Sequence, residues 1–242
     1  MNALRTSHRA KVLAYVVGGA FLVALVALTL WPIAGSFLPP PRLNATDDVH
    51  VDRLLYAIDV EDLPSVKSLL NDRRANVNGR DRQGDTPLIH AARSGWVNGC
   101  QLLLEHGADA RAIDFAGDTA LSCAARGPRD AARVIELLLK HGAKVNGEGG
   151  KVPIIQATFA RRADMIELLI EAGADVNTAE ANGWTALHWA AAAPDADLVR
   201  LLVARGANVR ATDDHGRTPL DVARSYGNEE AERYLRSDVG GS

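Results

Sequence analysis

Histidine and cysteine, the side chains that most often take part in chemistry, are present in this chain but form no known catalytic pattern. The sequence has seven histidines and two cysteines. It contains no glycine-rich phosphate loop, HExxH helix, CxxC pair or Gly-x-Ser-x-Gly turn. Those motifs work because their spacing fixes a nucleophile, a metal ligand or a phosphate-binding backbone. We therefore expect a protein that is not an enzyme and that binds no cofactor or metal ion.

The two cysteines, Cys100 and Cys123, fall on apolar faces of the helices that the sequence predicts. A buried free cysteine behaves as a small hydrophobic side chain, which is the simpler interpretation. A disulfide is the alternative in an oxidising compartment, provided that the two Cα atoms lie within about 7 Å of each other. The sequence leaves both states open.

An apolar segment near the N-terminus has the length of a membrane span. From Val12 to Trp31 the chain runs 20 residues without a charged side chain. A helix needs about 20 residues to cross the hydrocarbon core of a bilayer, where it pairs its own backbone polar groups. Tyr15 and Trp31 lie near its ends, where aromatic rings prefer the headgroup layer, and Pro32 ends the helix. The pattern predicts a transmembrane helix or signal anchor at residues 12–31.

A cleaved signal peptide is the alternative, and a buried core helix is a third interpretation. A signal peptide has an apolar core of roughly 7–15 residues followed by a small-x-small cleavage site. The nearest such site is Ala34 to Ser36. Cleavage there would leave a secreted or periplasmic protein.

Charges on either side of the apolar segment indicate its orientation. Arg5, Arg9 and Lys11 precede it, and Arg42 is the only basic residue close behind it. Because the more basic flank stays in the cytoplasm, residues 1–11 are expected to be a cytoplasmic tail, with the rest of the chain across the membrane. The Ala- and Arg-rich composition indicates a bacterium, so the expected location is the inner membrane, facing the periplasm.

The charge balance argues against a nucleic-acid partner. The chain carries 27 basic and 30 acidic side chains, and only basic ones precede residue 42. The remainder is therefore more acidic than the overall net charge of −3. Nucleic-acid binding needs clustered Lys and Arg, so the expected partners are another protein and, through residues 12–31, a lipid bilayer.

Two phrases repeat along the chain with a period of 33 residues. The first begins at glycine and reads Gly-Asp-Thr-Pro-Leu or a close variant in four of five copies; its glycines are Gly84, Gly117, Gly150, Gly183 and Gly216. The second is rich in leucine and runs over residues 102–109, 137–143, 168–175 and 201–207. The sequence resembles the ankyrin-repeat family, with its TPLH-x-A and LLL-x-x-GADVN phrases. The resemblance covers residues 48–237.

Each copy contains the signals of two helices. Thr86 can cap a helix whose first turn holds Pro87, and Ala91 and Ala92 are small enough for a neighbouring helix to approach. Gly107 would end the second helix in the left-handed conformation. One copy cannot bury its own apolar face, but a stack of copies can.

The expected fold is an all-α repeat solenoid of about six units, including two caps, preceded by one transmembrane helix. The first cap lacks the glycine phrase, and the last has a polar second helix, as an outer face in water requires. Residues 32–47 contain three consecutive prolines and read as a stiff spacer. Residues 238–242 are expected to form a disordered tail.

The third and fourth units depart from the pattern. Gly127 and Pro128 add two residues between the helices of the third unit, and the loop before Gly150 is two residues short. In the fourth unit, Val152 to Gln156 replaces the usual Thr-Pro-Leu-His-Leu phrase. We expect a shortened, mobile hairpin there.

The resemblance implies a binding surface on the concave side, formed by hairpin tips and the exposed face of each first helix. His90 and Gln156 occupy positions on first helices where the family generally has Leu; each is expected to be a satisfied polar group or a ligand contact. Aromatic rings and arginines at variable positions could form one band, since such side chains dominate binding hot spots. The simpler interpretation is that each ring packs on its neighbouring repeat. The candidate partner-binding residues are Arg82, Asp85, Phe115, Asp118, Arg126, Lys151, Phe159, Trp184, Arg217 and Tyr226.

The expected function is therefore protein binding at a membrane, as an adaptor or an inhibitor. One specific version is a bacterial immunity or protective factor that sequesters a toxin or enzyme in the periplasm. The alternative is a structural scaffold that organises a membrane complex.

Overall fold

The computed structural model describes residues 49–240, apart from 73, 74, 128, 129, 148 and 195, and only the backbone of 238–240. The chain divides into two units, Met1–Ala45 and Thr46–Ser242, and all described residues belong to the second. The predicted cytoplasmic tail, the 12–31 helix and the 32–47 spacer lie outside the described residues. Among the described residues, every helix is too short or too polar to span a bilayer.

The described residues form twelve helices arranged as six consecutive pairs, as the repeat pattern predicted. The first helices of the pairs are α1 Val49–Asp59, α3 Pro87–Ser94, α5 Ala120–Arg126, α7 Pro153–Phe159, α9 Ala186–Ala192 and α11 Pro219–Tyr226. The second helices are α2 Leu63–Asn71, α4 Val97–Glu105, α6 Ala131–Lys140, α8 Ala163–Glu171, α10 Asp197–Ala204 and α12 Glu229–Gly240.

The pairs stack in chain order, so that each first helix packs against the first helix of the next pair. Paired alanines make this approach close: Ala91, Ala124, Ala190 and Ala191 have no exposed surface. Leucine, isoleucine and valine side chains of both helices fill one core that runs through all six pairs. The apolar face of each unit is therefore buried by its neighbours.

Local signals in the sequence set the helix ends. The Thr86 hydroxyl accepts a hydrogen bond from the Ile89 N–H at 3.4 Å, and Thr119 and Ser122 cap the start of α5 reciprocally. Gly107 adopts a φ of +84° beyond the end of α4, a conformation in which glycine has no steric penalty. These are the starts and stops that the repeated phrases predicted.

The C-terminal end differs from the expectation of a disordered tail from residue 238. Helix α12 continues to Gly240, and residues 241 and 242 lie outside the described part. The reason is that no helix-breaking residue intervenes between Glu229 and Gly240, so the i to i−4 hydrogen bonds can continue.

Both cysteines are free thiols buried in the core. Burial raises the pKa of Cys100 to about 12, so that thiol stays protonated at neutral pH. The Trp96 ring packs locally and covers Gly99, where a Cβ would lie within 1.8 Å of it. The simpler interpretation of the cysteines, as small apolar side chains, fits this packing.

A buried asparagine joins the last two units. The Asn228 amide donates to the carbonyl oxygens of Ala191 and Ala193, and its Oδ1 accepts from the Ala231 N–H at 3.0 Å. One side chain thus forms hydrogen bonds with backbone groups at the end of α9 and at the start of α12.

Asn228→Ala should lower the free energy of unfolding by about 1–3 kcal/mol, because buried carbonyl groups lose their donor. Urea unfolding followed by circular dichroism measures the change. Asn98→Ala, at an exposed position of α4, is the matched control. Equal losses in the two variants would contradict the role assigned to Asn228.

Candidate functional site

The predicted binding surface corresponds to one face of the stack, which we call the hairpin face. It comprises the exposed residues of five hairpins and of α3, α5, α7, α9 and α11. Each hairpin is named after the unit that it begins: the second is 81–85, the third 114–118, the fourth 147–151, the fifth 180–184 and the sixth 213–217. Backbone hydrogen bonds link neighbouring hairpins, from Phe115 N–H to Gln83 oxygen at 3.0 Å and from Asp214 N–H to Asn182 oxygen at 3.1 Å.

Buried aspartates shape three of the hairpins. Asp81 Oδ1 accepts hydrogen bonds from the N–H groups of Gln83 and Asp85, both at 2.9 Å. Asp114 and Asp213 make the equivalent pairs of bonds in their own hairpins. These aspartates were not among the predicted binding residues. Their 33-residue period, three positions before the repeated glycine, was the signal that could have identified them.

Two of the predicted partner-binding residues are buried ion-pair partners instead. Asp85 and Asp118 are only 3% and 6% exposed. The two carboxylate oxygens of Asp85 accept from Arg93 Nη1 and Nη2 at 2.7 and 2.9 Å. A partner protein that approached this face would meet the arginine rather than the carboxylate.

Asp118 holds two cations of the hairpin face. Arg126 Nη2 donates to its Oδ1 at 2.7 Å, and Lys151 Nζ, from the next unit, donates to its Oδ2 at 2.9 Å. Burial raises the pKa of the Asp118 carboxyl, but Lys151 and Arg126 outweigh this effect, so that the pKa lies below its ordinary value. Arg126 and Lys151 are therefore fixed in place with part of each side chain in water.

A line of polar side chains connects the third, fourth and fifth units. Arg126 Nη1 donates to Gln156 Oε1 at 3.2 Å, and Gln156 Nε2 donates to Glu180 Oε1 at 3.3 Å. The other oxygen of Glu180 accepts from Trp189 Nε1 at 3.3 Å. Both the oxygen and the nitrogen of the Gln156 amide thus have hydrogen-bond partners. This agrees with the interpretation of Gln156 as a satisfied polar group.

Trp184 was predicted to be a surface contact, and that placement is wrong. It is 8% exposed, because Arg217 of the next hairpin lies 5.8 Å over its ring. Its Nε1 donates to Asp213 Oδ2 at 3.1 Å, and Trp189 packs against it at 4.9 Å in an edge-on geometry. A tryptophan that has both an apolar covering and a hydrogen-bond partner is stable in the interior.

The other three predicted rings lie at the surface. Phe115 is 77% exposed, and Phe159 and Tyr226 are each 62% exposed. Phe159 meets Trp189 edge-on at 5.4 Å, and Phe115 lies over Gly84 of the preceding hairpin. Phe115 and Phe159 therefore rest on neighbouring repeats, and all three rings present a large apolar area to water.

The predicted cations also reach the surface. Arg82 is exposed at a hairpin tip. Arg217 donates through Nε and Nη2 to Asp213 Oδ2, at 2.8 and 2.7 Å, and keeps 42% of its side chain exposed. Of the ten predicted site residues, Asp85, Asp118 and Trp184 are buried and the other seven are at least partly exposed.

The fourth hairpin is irregular, as the sequence predicted. Gly147 stands where the second, third and last hairpins have the shaping aspartate, so no side chain is there to bind the loop. In the described part of the chain, no backbone hydrogen bond joins this hairpin to the fifth. A crevice of about 580 Å³ opens between them, lined in part by Gly149, Lys151 and Asn182. Mobility of this hairpin stays a prediction.

His90 lies among three carboxylates between the first two units. Its Nδ1 is 3.1 Å from Asp59 Oδ1, and its Nε2 is 3.3 Å from Asp81 Oδ2 and 3.9 Å from Asp85 Oδ2. Burial lowers the pKa of His90, but the carboxylates of Asp59 and Asp81 outweigh it and raise the pKa above the ordinary value. The His90 imidazole thus joins α3 to the preceding unit through its contact with Asp59.

The atoms of Asp81, Asp85 and His90 lie close enough together to resemble a metal site, within 4.8 Å of one another. Each of the three side chains already has hydrogen-bond partners within the chain. Arg93 occupies both oxygens of Asp85, and backbone N–H groups occupy Asp81 Oδ1. The cluster is a charged hydrogen-bond network that fastens two units.

His90→Gln should weaken the fold most in mildly acidic solution. Because the folded state raises the pKa of His90, its charge stabilises the fold fully below the unfolded pKa of about 6.5 and progressively less as the pH rises through the folded pKa. Urea unfolding at a series of pH values above about 5.5 should show the gap between wild type and variant closing as the pH rises. The control is His215→Gln, at an exposed hairpin position. A gap that is constant or widens with pH would contradict the charged pairing.

Curated relatives match part of the chain. Neurogenic locus notch homolog protein 1 of Xenopus laevis is 39% identical over 118 residues, which is 48% of this chain and 5% of that protein. The human protein of the same name is 38% identical over 136 residues, or 54% of this chain and 5% of its own length. The chain spans about one twentieth of the length of these relatives.

Solved structures match a larger share. A chain from the Bd0816 predatory endopeptidase of Bdellovibrio bacteriovorus in complex with immunity protein Bd3460 has a TM-score of 0.66 and 28% identity, covering 76% of this chain and 97% of its own. The ankyrin repeat protein EF0377 has the same TM-score and identity, covering 77% and 97%.

The family model for ankyrin repeats (3 copies) matches residues 54–149 and again residues 154–241. The two matches meet at the irregular fourth hairpin. Six stacked helix pairs, a 33-residue period and these two matches have one explanation: the chain belongs to the ankyrin-repeat family.

Proposed function

We propose that this protein is a protein-binding adaptor or inhibitor that grips its partner with the hairpin face while its N-terminal segment holds it in a membrane. The observation that carries the proposal is the exposure of Phe159, whose ring is 62% accessible on the face that the family's repeat architecture leaves free. Repeat stacks of this kind use that extended surface for binding.

The geometry around Phe159 favours tight binding. Its ring is supported from one side by Trp189, at 5.4 Å, and Trp189 is itself tied to Glu180. A side chain that is already ordered loses little conformational entropy when a partner covers it. Aromatic and arginine side chains supply most of the energy at protein interfaces, and Arg126, in the preceding unit, is likewise held in place.

The inhibitory version of the proposal draws on a structural neighbour. That neighbour comes from a complex of an endopeptidase with an immunity protein, which fits a role in sequestering an enzyme. For this chain, we propose a bacterial immunity or protective factor that acts in the periplasm.

The membrane tether is the second part of the proposal. It rests on the 20 uncharged residues from Val12 to Trp31 and on the three basic residues that precede them. The hairpin face would then lie outside the inner membrane. Fractionation of cells that express the full chain, followed by carbonate extraction, tests this part: an anchored protein stays in the membrane pellet, and a cleaved, freely released domain does not.

Phe159→Ala should weaken partner binding at least tenfold, which corresponds to about 1.4 kcal/mol, because it removes an ordered apolar anchor. Tagged full-length wild type and variant, captured from membranes of the source cells, identify the partner, and titration of the purified pair gives the affinities. Val60→Ala removes an exposed apolar side chain of the first unit outside the hairpin face and should leave the affinity unchanged.

The account of the hairpin face is wrong if Phe115→Ala, Phe159→Ala and Tyr226→Ala all bind the captured partner as tightly as wild type. If binding depends on these rings but the partner's activity is the same with and without the wild-type chain, the protein is a scaffold rather than an inhibitor.

A further inference from the structure

The residues at one equivalent position of three first helices form a row, which consists of two arginines and a phenylalanine. Arg93, Arg126 and Phe159 are separated by 33 residues each and stand at the ends of α3, α5 and α7. These three helices pack against one another in that order. The three side chains therefore follow one another across the hairpin face.

The arginines in this row are cations that buried carboxylates hold in position. Asp85 and Asp118 lie beneath Arg93 and Arg126 and are almost inaccessible. The arginine side chains remain 45% and 31% exposed. Both Nη atoms of Arg93 already donate to Asp85. Those of Arg126 donate to Gln156 and Asp118. An approaching carboxylate would accept from the remaining N–H groups of the two guanidiniums, whose orientation is already set.

The two sides of the stack differ in charge. Among the described charged side chains of the hairpin face that are not buried, six are basic and three are acidic: Arg82, Arg93, Arg126, Lys151, Arg217 and Arg224 against Glu180, Asp214 and Asp221. Five further aspartates of this face are buried, and several of them pair with these cations. The second helices α4, α6, α8, α10 and α12 carry nine acidic and five basic side chains up to residue 237. An acidic partner would meet a surplus of exposed cations on the hairpin face and a surplus of carboxylates on the second-helix side, so the exposed charges favour docking on the hairpin face.

We propose that the partner presents an acidic segment with a neighbouring apolar side chain, in which carboxylates bind Arg93 and Arg126 and the apolar group covers Phe159 and Trp189. This proposal rests on the proposed function and adds the chemistry of the partner. Packed helices lie about 8–10 Å apart, and an extended chain advances about 3.3 Å per residue. The segment therefore carries its two acidic residues and its apolar residue about three positions apart.

Selection of a displayed random-peptide library on the immobilised full-length protein tests the proposal. The expected binders contain Asp or Glu at least threefold more often than the unselected library, with an apolar residue at a spacing of about three. Their affinity for the protein should fall as the salt concentration rises, because the contacts are ionic.

The decisive variant is Arg93→Gln combined with Arg126→Gln, which removes both proposed carboxylate contacts and leaves amides that can still donate to Asp85 and Asp118. The selected peptides should bind it at least tenfold more weakly than wild type. Arg200→Gln is the matched control, because Arg200 is 42% exposed and ion-paired to Asp197 on the second-helix side. Thermal unfolding of each variant establishes that it is folded before binding is measured.

Three outcomes would contradict this proposal. Neutral or basic peptides whose binding is lost with Phe159→Ala overturn the acidic partner and leave the hairpin face as the binding surface. Acidic peptides that bind the double variant as tightly as wild type also overturn it. A selection whose binders are indifferent to Phe159→Ala and to the double variant overturns the proposed function as well.

Discussion

The burial of each helix pair against the next is the interaction on which the rest of this structure depends. A single pair exposes the leucines and isoleucines of both its helices, and only a neighbouring pair removes them from water. The alanines of the first helices, such as Ala91 and Ala124, have no exposed surface, because first helices meet there. This close packing fixes the spacing of α3, α5, α7, α9 and α11, and hence of every side chain on the hairpin face.

Stacking of the units brings charged side chains of the hairpin face together in ion pairs. Buried aspartates bind the hairpin backbone or pair with arginines. A lysine or a histidine, from the same unit or the next, is the partner of an aspartate in other pairs. The same contacts serve two purposes, since they fasten neighbouring units and also fix the direction of the guanidinium groups. Arg126 illustrates both, through its bonds to Asp118 and Gln156. A partner would meet a surface whose polar side chains are already ordered.

Much of the fold could be predicted from the sequence because its signals are local and repeated. Thr86 and Gly107 mark helix ends in a way that depends on few neighbours, and the 33-residue period gave the number of units. The candidate site was harder to predict from the sequence. The 33-residue alignment placed Trp184 among surface residues, but its environment is set by Arg217 and Asp213 from the following unit. In the same way, Asp85 and Asp118 are charged residues at variable positions, and only the packing of a cation over each explains their burial.

Hydrogen exchange measured by mass spectrometry on the full chain, alone and with its captured partner, tests the central claim most directly. The account predicts that the partner slows amide exchange in the third and fourth hairpins and in the ends of α5 and α7, around Phe115, Arg126 and Phe159, while the second helices exchange as before. Slower exchange confined to the second helices α4, α6 and α8 would place the partner on the opposite side of the stack and contradict the account.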